Sequence, residues 1–216
     1  MALSSPAPRV LADALPGTVV RDLALVLGGA AFVGLAAQVS VPLPFTPVPV
    51  TGQTFAVLMV GAALGTFRGL ISMAIYLVAG MIGVPWFAAG STAYGSDGAL
   101  TASFGYIVGF VLAAALVGFV AERGWTRTPW RTAAAMVLGN VVIYAVGVTW
   151  LKIALSATWA DAVAWGLTPF LGGDALKIVL AAGLFPAAWM LLKKAGLAPR
   201  EDDQGHTAKH FSADPQ

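Results

Sequence analysis

The chain has no cysteine, and both of its histidines, His206 and His210, fall in a polar stretch near the C-terminus. The first absence excludes disulfides and thiolate chemistry. The second leaves no imidazole in the apolar body for general-base catalysis or for holding a metal. Charge is also scarce: Asp, Glu, Lys and Arg make up 10% of the 216 residues, against about a quarter in soluble domains. No GxxxxGK[ST] run occurs, so this chain does not itself hydrolyse ATP in the usual way. What is abundant is apolar: 58% of residues are hydrophobic and the mean hydropathy is +0.82. Such a chain lives in a lipid bilayer, and its length allows roughly six spans of about 20 residues.

Six apolar segments can be placed in order: Leu23–Val39, Thr51–Gly65, Gly69–Val84, Phe104–Ala121, Thr132–Leu151 and Asp174–Leu192. The expected fold is therefore all-α, a polytopic bundle of six transmembrane helices. Residues 1–20 read as an N-terminal tail carrying at most a short surface helix, 21–194 as the membrane domain, and 195–216 as a polar, disordered tail. Pro42, Pro44, Pro47 and Pro49 rule out a helix between the first two spans. That loop is apolar and stiff, which suits a lid better than a solvated connector. Residues 88–101 and 156–173 read as further loops, and Pro186 is expected to kink the last span.

Basic residues orient the bundle. In a six-span arrangement Arg9, Arg21, Arg68, Arg123, Arg127, Arg131, Lys193, Lys194, Arg200 and Lys209 share one side, while Lys152 and Lys177 fall toward the other. Both termini are then expected in the cytoplasm, with the proline-rich loop outside.

Ionisable groups inside a membrane segment are costly, so they usually face an interior, a partner or a ligand. Asp174 and Lys177 lie three apart on one helix face at the outer end of the last span. They could neutralise each other to join helices, or they could meet a ligand. Gln53 and Asn140 can supply amide donors and acceptors to a ligand or between helices. Tyr106 and Tyr144 could wall a ring, as could Trp86, which suits an interfacial belt better. Ala30 and Gly34 form a small face on the first span, and Ala24 and Gly28 repeat the spacing. Small faces let another helix approach closely, whether that helix belongs to this chain or to a partner. An enzyme is disfavoured: serine–histidine chemistry lacks its histidine, and Asp174 is the one carboxylate inside a predicted span.

At this point the residues resemble a known family. Pro42-Leu43-Pro44-Phe45-Thr46-Pro47-Val48-Pro49-Val50-Thr51-Gly52-Gln53-Thr54 is similar to the first-loop signature of the BioY biotin transporters. Tyr76 to Pro85, Phe104-Gly105-Tyr106 with Gly109-Phe110, and Pro169-Phe170 with Gly173-Asp174 and Lys177 follow in the family's order. The resemblance runs from about Leu23 to Leu192. It implies the substrate-binding S component of an energy-coupling factor (ECF) transporter, with biotin as cargo and no resident cofactor or metal. It also implies a transmembrane coupling protein and ABC-type ATPases as partners, and no nucleic acid. Asp174 and Lys177 match the family's binding pair, and Ala30 and Gly34 stand where S components contact the coupling protein. The loop 88–101, with Tyr94, Ser96 and Asp97, departs from the commoner glycine-rich form. An S component for another vitamin is the alternative reading.

Overall fold

In a bilayer each backbone N–H and C=O must be satisfied within the protein, so long apolar runs become helices. The computed structural model describes residues 9–15 and 17–197. Its helices are α1 (Val19–Gln38), α2 (Gln53–Leu64), α3 (Thr66–Met81), α4 (Phe104–Glu122), α5 (Pro129–Ala154), α6 (Trp159–Gly166) and α7 (Leu171–Lys194). The six longer ones correspond to the six expected segments. Val19–Gln38, Phe104–Glu122, Pro129–Ala154 and Trp159–Lys194 are long and apolar enough to cross a membrane, and α2 and α3 are shorter apolar helices. The expected tail beyond residue 197, and the first eight residues, lie outside the described residues.

The bundle is built around α4, which packs on α2, α3 and α5; α1 lies on α2 and α3, and α7 on α5 and α2. Glu122, the last residue of α4, accepts the backbone N–H of Thr66 at 2.7 Å and so caps α3. The α2–α3 turn at Gly65 has φ +88°, and a side chain there would press on that carboxylate. These features fix one end of the bundle, where Arg21, Arg68 and Arg123 also lie.

At the opposite end the chain is less regular. With 12 residues, α2 rises only about 18 Å, well short of the roughly 30 Å of hydrocarbon. The loop before it is drawn into the bundle instead: Val48 is buried. A two-residue antiparallel ladder, β1 (Ser40–Val41) with β2 (Val50–Thr51), closes the proline-rich loop at its base. Thr46 donates its hydroxyl to the Trp165 carbonyl at 2.7 Å, which ties that loop to α6.

Three expectations are corrected. The stretch expected to be a loop from 156 to 173 contains α6, capped by the Thr158 hydroxyl accepting the Asp161 N–H at 3.1 Å. The last helix starts at Leu171, so Gly172 and Gly173 are helical, and Pro186 lies within it. Ala30 and Gly34 do not face outward. Ala30 is 1% exposed, and a Cβ at Gly34 would stand 3.3 Å from the Trp86 ring. The lipid-facing side of α1 carries Ala24, Gly28 and Ala31, with open space over Gly28.

The segment before α1 is not loose where it is described. Val10 and Ala12 are buried against the bundle, and Asp13 bonds Arg68 at 2.9 Å. Arg68 also reaches Asp22 at 3.2 Å. Partial burial pushes the Asp13 carboxyl up, but the Arg68 hydrogen bond and the Val10 and Arg9 backbone N–H groups outweigh it and hold it below its usual value. A depressed carboxyl stabilises the fold above its unfolded pKa of about 3.9 and stops doing so as pH falls through the folded value. The tether of residues 9–15 is therefore expected to hold at neutral pH and to loosen as pH falls below about 4. Hydrogen exchange at the Val10 amide should report this, and Asp13→Asn should give the loosened exchange at every pH.

Candidate functional site

A cluster of polar residues forms where α2, α5 and α7 converge. Asp174 lies in the first turn of α7, where unpaired backbone N–H groups and the helix dipole favour a carboxylate. It is 4% exposed. The Tyr144 hydroxyl from α5 donates to its Oδ2. Lys177 Nζ, one turn further on, lies 3.1 Å from Oδ1, and the Thr54 hydroxyl lies 3.4 Å from the same oxygen. Lys177 also donates to the Thr51 carbonyl at 3.1 Å and to Thr54 Oγ1 at 2.8 Å. A buried ion pair offsets its desolvation only when hydrogen bonds satisfy the remaining protons and lone pairs. Here the end of the proline-rich loop and the first turn of α2 supply them.

A small cavity of about 40 Å³ opens against this cluster. Val48 and Pro49 of the proline-rich loop, Tyr106, Ile107 and Phe110 of α4, Tyr144, and Phe170 give it apolar walls. Thr51, Gln53, Thr54, Ser103 and Lys177 give it polar points. A mostly apolar cleft with a few convergent polar groups is the usual form of a small-molecule site. Tyr106 and Tyr144 meet edge to face, ring centres 6.5 Å apart, and Tyr144 stands 6.4 Å from Phe170. The Tyr106 hydroxyl donates to the Gly166 carbonyl at 2.8 Å. Gly147 of α5 and Gly166 of α6 lie so close to Tyr106 that a Cβ at either would clash with it.

The structure thus gathers Gln53, Tyr106, Tyr144 and Lys177 on one cavity, with Asp174 just behind Tyr144 and Lys177. Gln53 is already occupied: it donates to the Tyr76 hydroxyl at 2.8 Å and accepts from the Thr51 hydroxyl at 3.0 Å. Asn140 faces a separate small cavity with Thr54, Met136 and Lys177, and its Oδ1 is buried without a hydrogen-bond partner among the described residues. Trp86 lines no part of the main cavity. Its indole N–H donates to the Tyr76 carbonyl at 3.0 Å, and it packs under Gly34. Sequence reasoning missed Thr51, Thr54, Ser103 and Phe170. Thr51 and Thr54 had a signal, since they flank Gln53 as the other polar residues entering an apolar helix.

Residues 7–194 match the family model described as the BioY family. The chain belongs to the BioY family. Among its BioY relatives, the biotin transporter BioY of Rhizobium etli is 35% identical over 170 residues, covering 75% of this chain and 89% of that one. The biotin transporter BioY of Thermotoga maritima is 34% identical over 152 residues, covering 70% and 86%. A 2.1 Å crystal structure of the S-component for biotin from an ECF-type ABC transporter matches with a TM-score of 0.69 at 24% identity, covering 80% of this chain and 94% of that one. At that identity the match shows the fold: this BioY chain has the fold of an S component.

Proposed function

We propose that the chain captures biotin in the cavity between α2, α4, α5 and α7 and passes it inward in company with an ECF coupling protein and ABC-type ATPases. One observation carries the reading: in a BioY-family chain, buried Asp174 stands just behind Lys177 and Tyr144 on the wall of a mostly apolar cavity that Val48 and Pro49 of the proline-rich loop also line. Biotin's apolar ring and chain suit those walls, and a ureido N–H suits the lone pair that Tyr144 leaves open on Asp174 Oδ2. The chemistry is binding, not catalysis. Mass spectrometry of the small molecule that co-purifies with the protein, followed by titration with biotin, tests the assignment. Biotin in that sample supports it; a different vitamin occupying the same cavity overturns it in favour of an S component for that vitamin.

Orientation follows from charge. Arg21, Arg68 and Arg123 lie at one end of the bundle and the cavity at the other, so the basic end is cytoplasmic and the cavity external. The absence of native cysteine makes this clean to check. A thiol reagent that cannot cross membranes should label Asp97→Cys from outside the cell and Arg127→Cys only after the cytoplasm is exposed. The reverse pattern would invert the proposed direction of capture.

The coupling protein is expected to meet α1 on its lipid-facing small side, at Ala24 and Gly28, since Ala30 and Gly34 are enclosed.

A further inference from the structure

A carboxylate taken into a low-dielectric cavity needs a cation with free donors, or its desolvation goes uncompensated. Among the described residues, Lys177 is the one Lys or Arg lining this cavity. An ammonium has three N–H donors, and those of Lys177 are taken by the Thr51 carbonyl, Thr54 Oγ1 and Asp174 Oδ1. Its charge is likewise matched by Asp174. The surrounding loops bring no replacement. Residues 39–52, 82–103 and 155–170 contain no Lys, Arg or His, and their acidic residues are Asp97 and Asp161. Lys152, at the end of α5, stands 5.5 Å from the Trp159 ring and is not part of the cavity wall. Among the described residues, the cavity end therefore sets three carboxylates, Asp97, Asp161 and Asp174, against two ammoniums, Lys152 and Lys177.

We propose that this site reads the uncharged head of its ligand and leaves the charge of the tail unread, so that esters and amides of biotin are ligands as good as biotin itself. The inference rests on the biotin reading above. The class includes biotin joined through an amide to the side chain of a lysine, the form in which it is carried on proteins. The tail carboxylate of free biotin points toward water at the cavity mouth, where it keeps its hydration and meets no fixed cation. The slight excess of negative charge at this end favours a neutral tail over an anionic one.

Isothermal titration of the full-length wild-type protein with biotin, biotin methyl ester and biotinamide tests this without any substitution. The three dissociation constants are expected to agree within about threefold, because no charge-assisted bond distinguishes them. An ester and an amide both weaker than biotin by more than about tenfold would overturn the proposal, since that gap is the signature of a cation reading the carboxylate. No binding of biotin itself would overturn the biotin reading and this inference together, an outcome recognisably different from selective loss of the neutral analogues. A second readout is the salt dependence: biotin affinity is expected to be flat between low and physiological ionic strength, and a steep fall with salt would count against the proposal.

Discussion

Asp174→Asn is expected to weaken biotin binding by roughly 100-fold, and Lys177→Met by a comparable factor. The asparagine keeps the shape of Asp174 but replaces one acceptor oxygen with a donor amide. Both oxygens of Asp174 are engaged, Oδ2 by the Tyr144 hydroxyl and Oδ1 by Lys177 and Thr54. With its nitrogen toward Lys177 the amide sets a donor against a donor; turned toward Tyr144 it makes the phenol hydroxyl switch from donating to accepting, and either way an acceptor lone pair is lost. Lys177→Met keeps the stem and removes the ammonium. That strands Asp174 as a buried carboxylate with its main counter-charge gone, and it frees the Thr51 carbonyl from its bond to Nζ. Losing a hydrogen bond to a charged group is worth about 1.5–3 kcal/mol, which sets the scale of both effects. Each variant should still fold, since the cluster is small beside the apolar contacts of seven helices. Titration of both purified proteins, with circular dichroism as a folding control, checks this. Affinities equal to wild type in both would return the pair to a purely structural role between α5, α7 and α2.

Why this pair is legible in the sequence, and other features are not, follows from what a membrane makes expensive. A carboxylate and an ammonium three residues apart inside an apolar run have few places to go, so the sequence alone singles out Asp174 and Lys177. The spans are legible for the same reason: apolar runs in lipid have helix as their one continuous option. Trp159–Gly166 is not legible, because eight residues mixing Ala, Trp and one Asp carry too little periodicity to separate a short helix from an aromatic loop. Gly172 and Gly173 read as a loop because glycine weakens isolated helices; here the helical turn of Thr168–Phe170 leads straight into α7 and overrides that preference. Asn140 and Gln53 resist assignment from sequence altogether. Hydrogen bonding between helices and hydrogen bonding to a ligand use the same amide, and only packing places one against Tyr76 and the other in a side cavity.

The face of α1 is the clearest failure of sequence reasoning, and its cause is general. Ala30 and Gly34 repeat the spacing of Ala24 and Gly28 six residues on, which turns the second pair about 120° away around the helix axis. In a soluble protein the polar side would reveal which face is inside. In lipid both faces are apolar, so hydropathy cannot choose between them.

That difference makes opposite expectations for two tryptophans. Ala30→Trp puts an indole into a position enclosed by the protein core, beside Gly34 and its Trp86 neighbour. Overpacking commonly costs about 1–3 kcal/mol for a few extra methylenes, and a whole indole at a site that is 1% exposed should cost roughly 3 kcal/mol or more. Yield, thermal stability and biotin binding should therefore fall together. At Gly28 a Cβ meets no heavy atom within 4 Å among the described residues, and the position is exposed, so the indole of Gly28→Trp can extend away from the bundle. Replacing glycine inside a helix is mildly favourable. Stability and biotin affinity of the isolated subunit should stay near wild type. Because helix–helix contact in lipid depends on small side chains, uptake by the assembled transporter and co-purification of the proposed coupling protein should fall sharply. Three measurements on two variants decide it: melting temperature, biotin affinity of the isolated subunit, and recovery of the coupling protein. Full uptake with Gly28→Trp would move the docking face elsewhere. A stable, biotin-binding Ala30→Trp would contradict the enclosed position of that residue and restore Ala30 and Gly34 as the contact.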